Sequence, residues 1–67
     1  MTAARKKFKV TAAGIQVGAT FRSESATYTW LRGYAEDHAG KVVVWIDDQH
    51  HDGWQRYEDV DLAVLAR

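Results

Sequence analysis

Sixty-seven residues with nine acids, nine bases and no cysteine make one small domain, exclude a disulfide framework and leave the fold to rest on apolar burial. A thiolate-held structural zinc is excluded on the same ground, and three histidines alone are a poor ligand set. No apolar run approaches the roughly 20 residues that span a bilayer; Val42–Ile46, among the longest, has five.

The aromatic share is generous for this size, with three Trp, three Tyr and two Phe, and such side chains bury much area per residue. Charge is unevenly spread. Arg5, Lys6, Lys7 and Lys9 stand in the first nine residues without an acid, whereas eight acids face only Lys41 and Arg56 between Glu36 and Asp61. The basic head has no following apolar stretch, so it does not read as a secretory signal. With cysteine also absent, a cytoplasmic location in the producing or host cell is expected.

In chain order, residues 1–9 read as a flexible basic arm and residues 10–67 as a single domain. Phe8-Lys9-Val10 alternates and marks a short first strand or part of the arm. Residues 11–14 form a turn ending in Gly14. Ile15, Val17, Ala19 and Phe21 alternate with polar or small residues, the period of a half-buried strand, and Gly18 marks a bend within it. Residues 23–26 are a polar loop. Thr27 to Ala35 reads as a strand with Tyr28, Trp30, Arg32 and Tyr34 on one face. After a turn ending in Gly40, the β-branched run from Lys41 to Asp47 is the clearest strand. Asp52-Gly53 closes a polar hairpin loop. Trp54 to Tyr57 is a short strand, Glu58 to Leu62 one helical turn, and Ala63 to Ala66 a closing strand. The expected fold class is all-β: a small five-stranded barrel with one short 3-10 turn before its last strand.

Trp30-Leu-Arg-Gly-Tyr-Ala35, then Val42-Val-Val-Trp-Ile-Asp-Asp48, Gly53-Trp54 and Glu58-Asp-Val-Asp-Leu62 together resemble Tudor-like and other SH3-like barrels. The resemblance spans roughly residues 15–65 and implies fold more than function. In Tudor domains, aromatics at the barrel mouth cage methylated Lys or Arg through cation–π attraction. The resemblance implies Trp30, Tyr34, Trp45 and Trp54 for that role, with Gln49-His50-His51 standing where family members often carry an aromatic. Trp54-Gln55-Arg56-Tyr57 also resembles, more faintly, the pore strand of type II plasmid dihydrofolate reductases, which are tetrameric SH3-like barrels. It departs from them in carrying Arg at its third place.

Trp30, Arg32 and Tyr34 form an alternating aromatic–basic stripe, suited to stacking or to anchoring a partner, or else simply covering a thin barrel. His50, His51 and Asp52 are adjacent in an extended loop, where two imidazoles rarely grip one ion, so no metal site is expected. The carboxylate groups Asp47-Asp48 and Glu58-Asp59-Asp61 lack a cleft that would desolvate one member, and turn or cap roles account for them. No catalytic residue and no cofactor is expected. Two functions compete. The first is a noncatalytic protein-interaction module presenting Trp30, Arg32, Tyr34, Trp45 and Trp54 to another protein, in the manner of a small phage or mobile-element protein acting on a host or phage partner. The second is a nucleic-acid binder that uses Arg5, Lys6, Lys7, Lys9 and Arg32 against phosphates. An oligomeric enzyme of the reductase kind is a remote third.

Overall fold

A computed structural model describes residues 6–48 and 53–66. They form β1 (Lys7–Ala12), β2 (Ile15–Phe21), α1 (Glu24–Asp37), β3 (Lys41–Asp47), β4 (Gln55–Asp61) and α2 (Leu62–Leu65). The strands make one antiparallel sheet in the order β2-β1-β3-β4. Strand-rich, antiparallel architecture is thus as expected, but four strands are described rather than five, and the sheet is open, with β2 and β4 as its edges. Helix on one side of an open sheet replaces barrel closure.

The strands follow the alternation of the sequence. Phe8 and Val10 on β1, Val42 and Val44 on β3, and Val60 on β4 are buried together. The alternate residues, Lys7, Lys9 and Thr11 or Lys41, Val43 and Trp45, point to the other side. Ala13 and Gly14, with φ of 54° and 82°, form the two-residue link between β1 and β2, where left-handed backbone matches the twist of the paired strands.

The largest departure from the sequence reading is α1. Thr27 to Ala35 is helical, not extended. Ser23 caps the helix, its Oγ accepting from the Ala26 N–H at 3.1 Å, and the Thr27 hydroxyl donates to the Ser23 carbonyl at 2.8 Å. Thr27, Leu31 and Ala35 recur every four residues and are the buried stripe of the helix. That spacing places one residue above another on a single face. The period-two pattern of Tyr28, Trp30, Arg32 and Tyr34 therefore does not make a stripe: on a helix these residues fan out around the axis. At the C-terminal end, strand β4 runs on to Asp61 where one helical turn was expected. Asp61 caps α2 by accepting from the Ala63 N–H at 3.0 Å, and residues 63–65, expected as strand, belong to that helix. Leu62 is buried, and its N–H donates to the Gly40 carbonyl at 2.9 Å, tying the end of the chain to the start of β3.

Lys7, Phe8 and Lys9 belong to β1, an interior strand of the sheet, so the part of the expected arm from residue 7 onward is folded. Arg5 and the His50-His51-Asp52 group lie outside the described residues, as does the rest of the chain before residue 6. Among the described residues, no helix is long and apolar enough to cross a membrane.

Two left-handed positions give opposite predictions. Gly18 has φ of 71°, and a Cβ there would stand 2.5 Å from Cζ2 of Trp30, so Gly18→Ala meets both backbone strain and a ring packed against the core. It should cost about 2 kcal/mol in urea unfolding. Ala13 already bears the penalty of a Cβ at positive φ, so Ala13→Gly should gain about 0.5 kcal/mol in the same measurement. Equal and like-signed effects would contradict this account. In the core, Leu31→Ala should cost about 3 kcal/mol, since Leu31 is fully enclosed.

Candidate functional site: the uncovered sheet face

Both helices pack on one side of the sheet, so the other side has no covering layer. Its centre is aromatic. Trp45 on β3 sits directly across from Lys9 on β1, and its indole N–H donates to the Thr11 hydroxyl at 2.8 Å. Trp54, which precedes β4, receives the Lys9 ammonium 4.7 Å from its ring centroid, a cation–π contact. Trp45 and Trp54 are half-buried, and neither they nor Val43 join the hydrophobic cluster beneath α1.

Charges surround this centre in opposed pairs. Lys7 lies across from Asp47, and Lys41 lies across from Asp61. The Arg56 Nε donates to the Asp59 carboxylate at 3.0 Å. Cross-strand neighbours of opposite sign attract weakly. Here their main effect is that each cation of the face stands next to an acid, apart from Lys9, which is turned toward Trp54.

The five residues expected to form one aromatic patch are divided by the sheet. Trp45 and Trp54 occupy the uncovered face. Trp30 and Tyr34 lie on the helix side, four residues apart, and stack at a centroid distance of 4.9 Å. Trp30 also packs on Phe21 at 5.5 Å, and the His38 ring lies 3.9 Å from Tyr34, nearly parallel to it. This ladder of Phe21, Trp30, Tyr34 and His38 borders the core, and its first three members are packed against it. Arg32 is exposed on α1. The four rings implied as a methyl-ligand cage therefore do not converge. Of the residues expected to meet phosphate, Lys7 and Lys9 reach the uncovered face, Lys6 is exposed just before it, and Arg32 is on α1.

Sequence reasoning missed Lys9 as the partner of Trp54 and Thr11 as the partner of Trp45. Their shared parity on β1, which places them on one face, was the available signal. It also missed two contacts that lock α1 to β4. The Tyr28 hydroxyl donates to Glu58, and the Tyr57 hydroxyl donates to the Glu24 carboxylate at 2.8 Å. Tyr57 further meets Phe8 edge-on at 5.6 Å, so it faces the helix side. Among the described residues, no group of three or more His, Asp or Glu is arranged to hold a metal ion.

Compared with protein-family models, curated proteins and solved structures, the chain matches none. Its function is therefore argued from its own geometry.

The tyrosine contacts carry a pH dependence. Partial burial, then the hydrogen bond to Glu58 and the charges of Glu58 and Glu24, push the Tyr28 phenol well above its ordinary value. The bond to Glu24 foremost also raises that of Tyr57. A phenol harder to ionise folded than unfolded contributes its full stability below the unfolded value of about 10 and loses it as pH rises beyond. Melting temperature should fall progressively above about pH 10, and Tyr28→Phe should flatten that fall while leaving the share that Tyr57 contributes. A slope unchanged by the substitution would contradict this assignment.

Proposed function

We propose that this protein is a noncatalytic protein-binding module and that its contact surface is the uncovered sheet face centred on Trp45 and Trp54. The observation that carries the reading is the arrangement of that face: two indoles and Val43 at the middle, with Lys7, Asp47, Arg56 and Asp59 around them. An aromatic centre within a polar surround is the usual anatomy of a protein interface, and Trp is the residue most enriched among energetically dominant contacts. The indole N–H of Trp45 already has its partner in Thr11, so covering that ring with another protein would strand no donor.

Phosphate recognition is less well served. A nucleic-acid surface needs cations in excess, since affinity comes mainly from neutralised phosphates. Here Lys7, Lys41 and Arg56 each face an acid. The tryptophans would suit base stacking, but the surrounding acids Asp47, Asp59 and Asp61 would repel the backbone.

The test pairs affinity capture from lysate with surface variants. A partner retained by the unaltered protein should be lost about 30-fold in affinity with Trp54→Ala, the effect of a dominant contact worth about 2 kcal/mol, and should be kept with Arg32→Ala. Hydrogen exchange in the complex should show protection on β1 and β3. Retention after Trp54→Ala and loss after Arg32→Ala would move the surface to α1. Oligonucleotide-induced NMR shifts at Lys7, Lys9 and Trp54 that vanish at high salt would assign the face to nucleic acid instead.

A further inference from the structure

The second surface that merits assignment is the free edge of β4, which is independent of the Trp45–Trp54 face. Beside it runs a shallow groove of about 320 Å³, floored by Tyr28, Val60, Val64 and Leu65 and flanked by Glu58, Asp59 and Asp61. Val64 on α2 is 61% exposed, so an apolar wall stands next to an unpaired strand edge. An edge strand offers main-chain donors and acceptors to an added strand, and pockets for alternate side chains then set which sequence is accepted.

The register states what that sequence must be. Val60 lies across from Val42 and points to the helix side, whereas Asp59 lies across from Val43 and Asp61 across from Lys41 on the uncovered side. A strand added along β4 would send one set of alternate side chains toward the groove of Val60, Val64, Leu65 and Tyr28. The other set would lie beside Asp59, which accepts from Arg56, and Asp61, which caps α2, on a strand whose three acids outnumber its one base. The first set is matched by apolar residues and the second by bases.

A second copy is a poor occupant. Pairing β4 with β4 would bring acidic strands side by side, which is unfavourable. The other edge, β2, has no charged residue. Its ladder with β1 is irregular between Phe8 and Val10, and Gly18 bends it at positive φ, features that blunt an edge. We infer that the β4 edge binds an extended segment of a partner protein in which basic and apolar residues alternate, the apolar side chains entering the groove and the basic ones meeting Asp59 and Asp61.

The probe is a capped hexapeptide of sequence Lys-Val-Lys-Val-Lys-Val, with Glu-Val-Glu-Val-Glu-Val as its counterpart, each titrated into the ¹⁵N-labelled full chain at low and high salt. The expected result is shifts confined to β4 and α2, slowed amide exchange along residues 58–61, weaker binding at high salt, and no response to the acidic peptide. Asp59 and Val64 are exposed, so variants there leave the core intact. Asp59→Lys should weaken the basic peptide about fivefold, the scale of one exposed ion pair, and raise affinity for the acidic one. Val64→Asp should weaken the basic peptide by removing its apolar wall. Absence of binding at millimolar basic peptide, equal binding of both peptides, or shifts on Lys9, Trp45 and Trp54 in place of β4 would each overturn the inference.

Discussion

One 14-residue helix, about 21 Å long, has to cover a four-stranded sheet whose outer strands stand about 14 Å apart. The rest of the structure depends on that fit. A narrow stripe of Thr27, Leu31 and Ala35 lets α1 approach β1 and β2 closely, and Val10 and Val44 of the interior strands are fully enclosed. A stripe that narrow cannot reach the margins, so large side chains on the helix flanks reach them instead. Trp30 lies over Gly18 of β2, and the space it occupies is available only because Gly18 has no side chain. On the other flank Tyr28 reaches Glu58, and Tyr57 reaches back from β4 to Glu24. The short α2 closes the remaining end with Leu62.

The same economy leaves the second face of the sheet without a layer. Each strand must place its odd and even residues on opposite sides, so the residues opposed to the valine core had to be either polar or functional. Lys7, Lys9, Thr11 and Asp47 are the polar solution. Trp45 and Trp54 stand outside the core cluster and are half-buried. Thr11 is almost fully buried although it lies on the face without a covering layer, because Trp45 is laid across it with its N–H satisfied. A ring fixed in this way loses little side-chain freedom when a partner covers it, which is an advantage in binding.

How much of this was legible depended on whether local and global preferences agreed. Strand β3 was legible with its boundaries, because β-branched alternation there coincides with burial on one side; β2 was legible from alternation and the glycine bend, although none of its residues is buried. The helix was not, since Thr27, Tyr28, Thr29, Trp30 and Tyr34 all favour strands and Gly33 weakens a helix. The helical signal was present in Ser23 as a cap and in the four-residue spacing of Thr27, Leu31 and Ala35, but it competed with an equally regular period of two. Only packing over the sheet decides between them. Once the helix was read as a strand, the aromatic stripe followed, and with it the grouping of Trp30, Arg32 and Tyr34 with Trp45 and Trp54. Trp45 and Trp54 were legible as candidates; their separation from the other three depends on which side of the sheet α1 takes.

The charge distribution shows the same gap between sequence and space. Along the chain, bases gather at the beginning and acids toward the end, a pattern that suggests a basic surface for phosphate. Folding removes most of that segregation. Strand β1 carries Lys7 and Lys9 into the interior of the sheet and pairs them with β3, whose far end brings Asp47 across from Lys7. Strand β4 does the same for Lys41 with Asp61. Antiparallel pairing of a basic strand with an acidic one interleaves the two signs at distances well inside the Debye length. A ligand at the face therefore meets a nearly neutral surface with local polarity rather than a field of one sign. The segregation that survives is at the edge, where Glu58, Asp59 and Asp61 have no further strand beyond them and are offset by Arg56 and Lys41 alone. Net charge is zero along the sequence, but folding sets a strand with three acids and one base at the free edge of the sheet.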